Sequence, residues 1–115
     1  MRPNARVLIV EDDPLLALDL EDTFEGAGYQ VSGTAGTVAA GLELIERDPP
    51  EIATLDYQLG KETSERLAAV LQSLDIPFCF ISGRSDLISD SEHPVIPKPA
   101  APRTVLRAVE GLLAD

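Results

Sequence analysis

Five short strand-like runs, separated mostly by stretches with helical periodicity, constrain this chain more than any other feature. The runs are Arg6–Val10, Gln30–Thr34, Ile52–Leu55, Phe78–Ile81 and Val95-Ile96. Regular alternation of strand and helix predicts an α/β fold with a parallel sheet, helices on both faces and right-handed crossovers. Five strands in such a chain suggest a doubly wound sheet of order 2-1-3-4-5. Gln30–Thr34 is the least apolar of the longer runs, which places it at a sheet edge.

The intervening stretches carry helix signals. Asp13 is an N-cap with Pro14 at the first helical position, and Gly26 and Gly28 end that helix. Leu15, Leu16, Leu18, Leu20 and Phe24 supply its apolar stripe. Thr37 caps a second helix with Val38, Leu42 and Ile45 on one face, stopped by Asp48-Pro49-Pro50. Tyr57–Lys61, with Gly60, reads as a loop. Ser64 to about Ser73 reads as a third helix, with Leu67, Val70, Leu71 and Leu74 on one side. Gly83 to His93 is polar, and Pro102 or Arg103 opens a last helix with Val105, Leu106, Val109, Leu112 and Leu113 inward. There is no internal repeat or linker, so residues 1–115 read as one domain.

Composition narrows the function classes. A hydrophobic content of 44% suffices for a core. The formal net charge of −11 argues against direct nucleic-acid binding, which leaves a basic footprint. No apolar stretch approaches the roughly 20 residues of a membrane span, and Met1 to Arg6 lacks the apolar core of a signal peptide. A single cysteine, Cys79, in an apolar run fits core packing and a reducing cytoplasm.

The strand ends carry the chemistry. Glu11 and Asp12 follow the first run, Asp56 the third, Ser82 the fourth, and Lys98 comes just after the fifth within Pro97-Lys98-Pro99. In a parallel sheet these ends share one edge, where open α/β folds bind ligands. Two adjacent carboxylates at a buried strand end repel each other and are costly to desolvate. A bound Mg²⁺, which takes hard oxygen ligands, removes that cost. Asp56 is a candidate nucleophile that forms an acyl phosphate, and the backbone carbonyl of Gln58 is a candidate metal ligand. Lys98 is placed to pair with Asp56 and then with a phosphoryl oxygen, and Ser82 offers a hydroxyl to the same group. Pro99 is a candidate for a cis bond. Arg84 lies near this edge, Tyr57 is placed to shield the pocket mouth, and His93 reads as a loop residue.

Val7-Leu8-Ile9-Val10-Glu11-Asp12-Asp13, then Leu55-Asp56, Ile81-Ser82-Gly83 and Pro97-Lys98-Pro99, resemble the receiver domain of two-component response regulators over essentially the whole chain. The resemblance implies the flavodoxin-like form of the fold. It implies that Asp56 takes phosphate from the phosphohistidine of a sensor histidine kinase or histidine phosphotransfer protein. Mg²⁺ would sit at Glu11, Asp12, Asp56 and the Gln58 carbonyl, Ser82 and Lys98 would contact the phosphoryl group, and the Lys98–Pro99 bond would be cis. A cytoplasmic monomer or weak dimer is expected, without turnover of an external substrate.

Three departures from the family pattern stand out. Val95 occupies the position usually held by the Tyr or Phe of the family's switch. The stretch from Ser82 to Lys98 is short, so the fourth of the family's helices is expected to be short or absent. The loop after Asp56 reads Gln58-Leu59-Gly60-Lys61-Glu62, without the usual Pro-Gly. With Ile76-Pro77-Phe78 and Phe80-Ile81-Ser82-Gly83, this is similar to a subgroup of stand-alone receivers with a Phe-x-Thr-Gly signature. If the chain is complete, its output runs through protein contacts or phosphate relay.

Two other classes compete. One is a degenerate receiver acting as a phosphorylation-independent protein-binding module, against which the intact Glu11, Asp12, Asp56, Ser82 and Lys98 count. The other is a phosphohydrolase with an aspartyl nucleophile, which usually needs a second Asp where this chain has Gln58.

Overall fold

The computed structural model describes residues 4–83 and 93–114. Its elements in chain order are β1 (Arg6–Val10), α1 (Pro14–Gly26), β2 (Gln30–Ala35), α2 (Val38–Arg47), β3 (Ile52–Asp56), β4 (Gln58–Leu59), β5 (Glu62–Thr63), α3 (Glu65–Ser73), β6 (Phe78–Ser82), β7 (Val95–Pro97) and α4 (Pro102–Leu113). Five strands form one sheet in the order β2-β1-β3-β6-β7, all parallel. This is the expected 2-1-3-4-5 order of the flavodoxin-like doubly wound fold, with β2 at an edge. The expected fate of the fourth helix concerns residues 84–92, which lie outside the described residues, as does Arg84.

Side chains alternate across the sheet with period two, and each face has its own core. Val7, Ile9, Cys79 and Ile81 join Leu20 and Phe24 of α1 and Val105, Val109 and Leu113 of α4 on one side. Leu8, Val10, Ala53, Leu55, Phe78 and Phe80 join Val38 and Ile45 of α2 and Leu67 and Leu71 of α3 on the other. Burial on both faces explains why the central strands read as unbroken apolar runs rather than alternating ones.

The helix starts follow their caps. The Asp13 carboxylate accepts from the Leu15 N–H at 3.0 Å, and the Thr37 hydroxyl accepts from the Ala40 N–H at 3.1 Å. Two corrections concern the inward faces. Leu15 and Leu18 are 72% and 51% exposed, and Ala17, Leu20 and Phe24 form the buried stripe of α1. Leu74 is also exposed, beyond the last residue of α3. On α2, Leu42 packs half-buried against the same core as Val38 and Ile45, and Gly41 is buried beside them, where a Cβ would meet the Leu67 side chain at 2.9 Å.

The segment after Asp56 is not a plain loop. Gln58 pairs with Thr63 and Leu59 with Glu62, so β4 and β5 form a small antiparallel hairpin around Gly60-Lys61. Gly60 has φ +62. A glycine with positive φ at the first position of a two-residue turn is the type II′ signature.

Candidate functional site

Strand register brings the expected residues to one edge. β1 runs into Glu11, whose N–H donates to the Ala35 carbonyl of β2 at 2.8 Å. Asp56 is the last residue of β3 and is paired with Ile81 of β6. Ser82 follows Ile81, is buried, and is paired with Pro97 of β7. Its carbonyl accepts from the Lys98 N–H at 2.9 Å. The Lys98–Pro99 peptide bond is cis.

Three carboxylates converge there. Oxygen atoms of Glu11, Asp12 and Asp56 lie within 4.8 Å of one another. The Lys98 ammonium donates to Asp56 Oδ2 at 3.2 Å and stands 3.9 Å from Glu11 Oε1. Glu11 and Asp56 are only 5% and 3% exposed, whereas Asp12 is exposed. Burial pushes the Glu11 carboxyl up to about 7, assisted by the neighbouring Asp56 and opposed by the Asp13 N–H, which donates to Oε2 at 3.1 Å. Burial also raises the Asp56 carboxyl, against the pull of Lys98. Burial acts against the charged form of Lys98, but Asp56 and Glu11 outweigh it and hold the ammonium above its ordinary value.

Asp12 behaves differently. The little burial it has would raise its carboxyl, but the Gly60 N–H, donating to Oδ2 at 3.2 Å, and its other hydrogen bonds carry it below its ordinary value. Sequence reasoning did not find the Gly60 amide. Its signal was the Gly-Lys turn pair, which sat in a stretch too short to show strand periodicity.

Gln58 is exposed at the start of β4, and its side chain turns back into the hairpin, donating to the carbonyls of Gly60 at 2.8 Å and Glu62 at 3.0 Å. Tyr57 packs its ring edge-on against Phe80 with centroids 5.4 Å apart. Phe80 is paired with Val95, so the rings on this face come from Tyr57 and β6 while the position on β7 has none. His93 stacks on Phe78 at 3.9 Å.

Among the described residues three carboxylates face one ammonium, which leaves the cluster short of positive charge. Its donors are hard oxygens, and two of the three are removed from water. A small divalent cation fits that set. Beside it, between α1 and α4, an apolar crevice of about 340 Å³ is lined by residues including Leu16, Leu20, Pro99 and Val105, with Glu11 and Lys98 among its walls. No described helix is long and apolar enough to cross a membrane.

Comparisons with known proteins address the family and the fold. No family model matches the chain. It is 31% identical over 114 residues to the phyllosphere-induced regulator PhyR of Methylorubrum extorquens, covering 93% of this chain and 43% of that protein. It is 40% identical to the solution structure of SdrG from Sphingomonas melonis Fr1, with a TM-score of 0.81, covering 99% of this chain and 100% of that one. It is 24% identical over 94 residues to sporulation initiation phosphotransferase F of Bacillus subtilis, covering 78% of this chain and 75% of that protein. The chain thus belongs to the receiver-domain family of two-component response regulators. It spans less than half the length of the PhyR relative.

Proposed function

We propose that this chain is a phosphoacceptor of a two-component phosphorelay, with residues 1–115 forming one receiver domain in the cytoplasm. Asp56 takes a phosphoryl group from the phosphohistidine of a sensor histidine kinase or histidine phosphotransfer protein. An Asp56 carboxylate oxygen attacks phosphorus and a P–O bond forms. The P–N bond to the imidazole breaks, and the electron pair stays on the departing ring nitrogen. The observation that carries this reading is the buried Asp56 carboxylate, held by Lys98 at 3.2 Å within a cluster of three acidic side chains. The name of the Bacillus relative, a phosphotransferase, points the same way.

Glu11, Asp12 and Asp56, together with the Gln58 carbonyl, would hold Mg²⁺. Mg²⁺ supplies charge neutralisation for a phosphoryl group that approaches a carboxylate. Lys98 is already oriented by Asp56 and takes up a phosphoryl oxygen as the carboxylate becomes an acyl phosphate. Ser82, buried one residue beyond the partner of Asp56, offers its hydroxyl to the same group. The exposed Leu15 and Leu18 lie on α1, next in sequence to Glu11 and Asp12. An apolar surface beside a buried reactive group suits a docking protein donor better than a free small molecule.

Incubation with acetyl phosphate and Mg²⁺, read by intact mass, tests the reading. The native chain gains one phosphoryl group and Asp56→Asn gains none. Equal labelling of both would move the acceptor elsewhere. If a kinase phosphohistidine also fails to label the native chain, the phosphorylation-independent binding module takes its place.

A further inference from the structure

We propose that the β4–β5 hairpin is a positioning device for the metal ligand Asp12, with the Gln58 side chain as its clasp. The inference rests on the Mg²⁺ site proposed above. Asp12 is the one exposed carboxylate of the cluster, and an exposed side chain is free to choose among rotamers. The Gly60 N–H removes that freedom by donating to Asp12 Oδ2 at 3.2 Å, which leaves Oδ1 unengaged by this bond. Residues 12 and 60 lie 48 positions apart, so the contact exists only while the hairpin stands over the strand edge.

A two-residue-per-strand hairpin has little to hold it up. Gln58 supplies the missing support. Its Nε2 donates to the Gly60 carbonyl at 2.8 Å and to the Glu62 carbonyl at 3.0 Å, tying the turn and the returning strand to the start of β4. Gly60 itself needs φ +62, which a side chain would strain. The order of support therefore runs from Gln58 to the hairpin, to the Gly60 amide, to the Asp12 carboxylate. Groups that orient a metal ligand in this way commonly govern affinity almost as strongly as the ligands do. Gln58 is thus a positioning residue through its side chain, whatever its carbonyl does.

Two readouts test this, one of them without metal. In the metal-free protein, hydrogen exchange of the Gly60 amide is slow in the native chain and accelerates in Asp12→Ala and in Gln58→Met, which keeps the length of the side chain but has no donor. In Mg²⁺ titrations followed by amide chemical shifts, Gln58→Met weakens binding roughly tenfold, and adds nothing in an Asp12→Ala background. Unchanged Gly60 exchange in Asp12→Ala would overturn the contact. An equal Gln58→Met penalty with and without the Asp12 carboxylate would show that Gln58 acts through its own carbonyl or through folding, and would overturn the clasp. Because Gly60 exchange is read without Mg²⁺ or phosphate, its outcome is separable from that of the acetyl phosphate experiment.

Discussion

Glu11 and Asp12 are adjacent in sequence, carry the same chemical group and face the same cluster, yet their surroundings push them in opposite directions. Glu11 follows the inner strand β1 and is almost wholly buried, so desolvation lifts its carboxyl to about 7. Asp12 has turned outward, where the Gly60 N–H helps to keep it ionised. The fold thus makes ionisation of one carboxylate costly, and the other is steered by a light hairpin. At the proposed Mg²⁺ site a pair built this way would separate two tasks. The buried member stores unfavourable electrostatics that a cation relieves, and the exposed member sets geometry at little cost to folding.

Removal of the Lys98 ammonium breaks the comparison most severely. In Lys98→Met, the buried Asp56 and Glu11 lose the ammonium 3.2 and 3.9 Å away. At pH 8 without metal the loss of stability should reach about 3 kcal/mol, the low end for a broken buried pair because Lys98 is partly exposed. At pH 5 the loss should be much smaller, since Glu11 then keeps its proton. Urea unfolding at the two pH values measures this, and an equal loss at both would show that Lys98 acts by packing rather than charge.

The next effect is the pH dependence of the native chain. Glu11 rises from an ordinary 4.5 to about 7 on folding, and Asp56 also rises. Between those pH values the folded chain binds more protons than the unfolded chain, so stability is full below 4.5 and falls as pH climbs through 7. The metal-free fall should be on the order of 2 kcal/mol. Saturating Mg²⁺ should flatten or reverse it, because the cation favours the ionised carboxylates. A metal-free stability that rises between pH 5 and 8 would contradict the burial of Glu11 as described.

How far this was legible from sequence follows the same division. The strand ends were legible because an apolar run that stops at a polar or charged residue marks both the buried strand and its edge. Glu11, Asp56, Ser82 and Lys98 all fell where that pattern put them. The hairpin was not legible, since two-residue strands carry no periodicity and the only sign was Gly60-Lys61. Helix faces were half legible. Five apolar residues were assigned to the stripe of α1, but a helix on a sheet buries one row, and that row passes through Ala17 rather than Leu15 and Leu18. On α2 the inward glycine reflects how closely α3 approaches, which no pattern within α2 reveals. The spacing found residues that act through the sheet and missed those that act through tertiary contact.

The smallest effect sharpens the comparison most, because it sets the two neighbours side by side. Glu11→Gln keeps the shape of the side chain and an oxygen to accept from the Asp13 N–H, but removes the buried charge. At pH 8 without metal it should stabilise the chain by about 1 kcal/mol, and at pH 5 it should change little. Asp12→Asn removes the same charge one residue later. Its stability change should stay within about 0.5 kcal/mol at either pH, as for other exposed substitutions. Both variants should weaken Mg²⁺, since each loses an anionic donor. Stability and metal affinity would thus move together in Asp12→Asn only trivially, and in opposite directions in Glu11→Gln. Thermal unfolding of the two variants, with and without Mg²⁺, reads all four quantities. A Glu11→Gln variant less stable than the native chain at pH 8 would mean that the Lys98 and Asp13 contacts outweigh desolvation, and that the buried carboxylate holds the fold together rather than straining it.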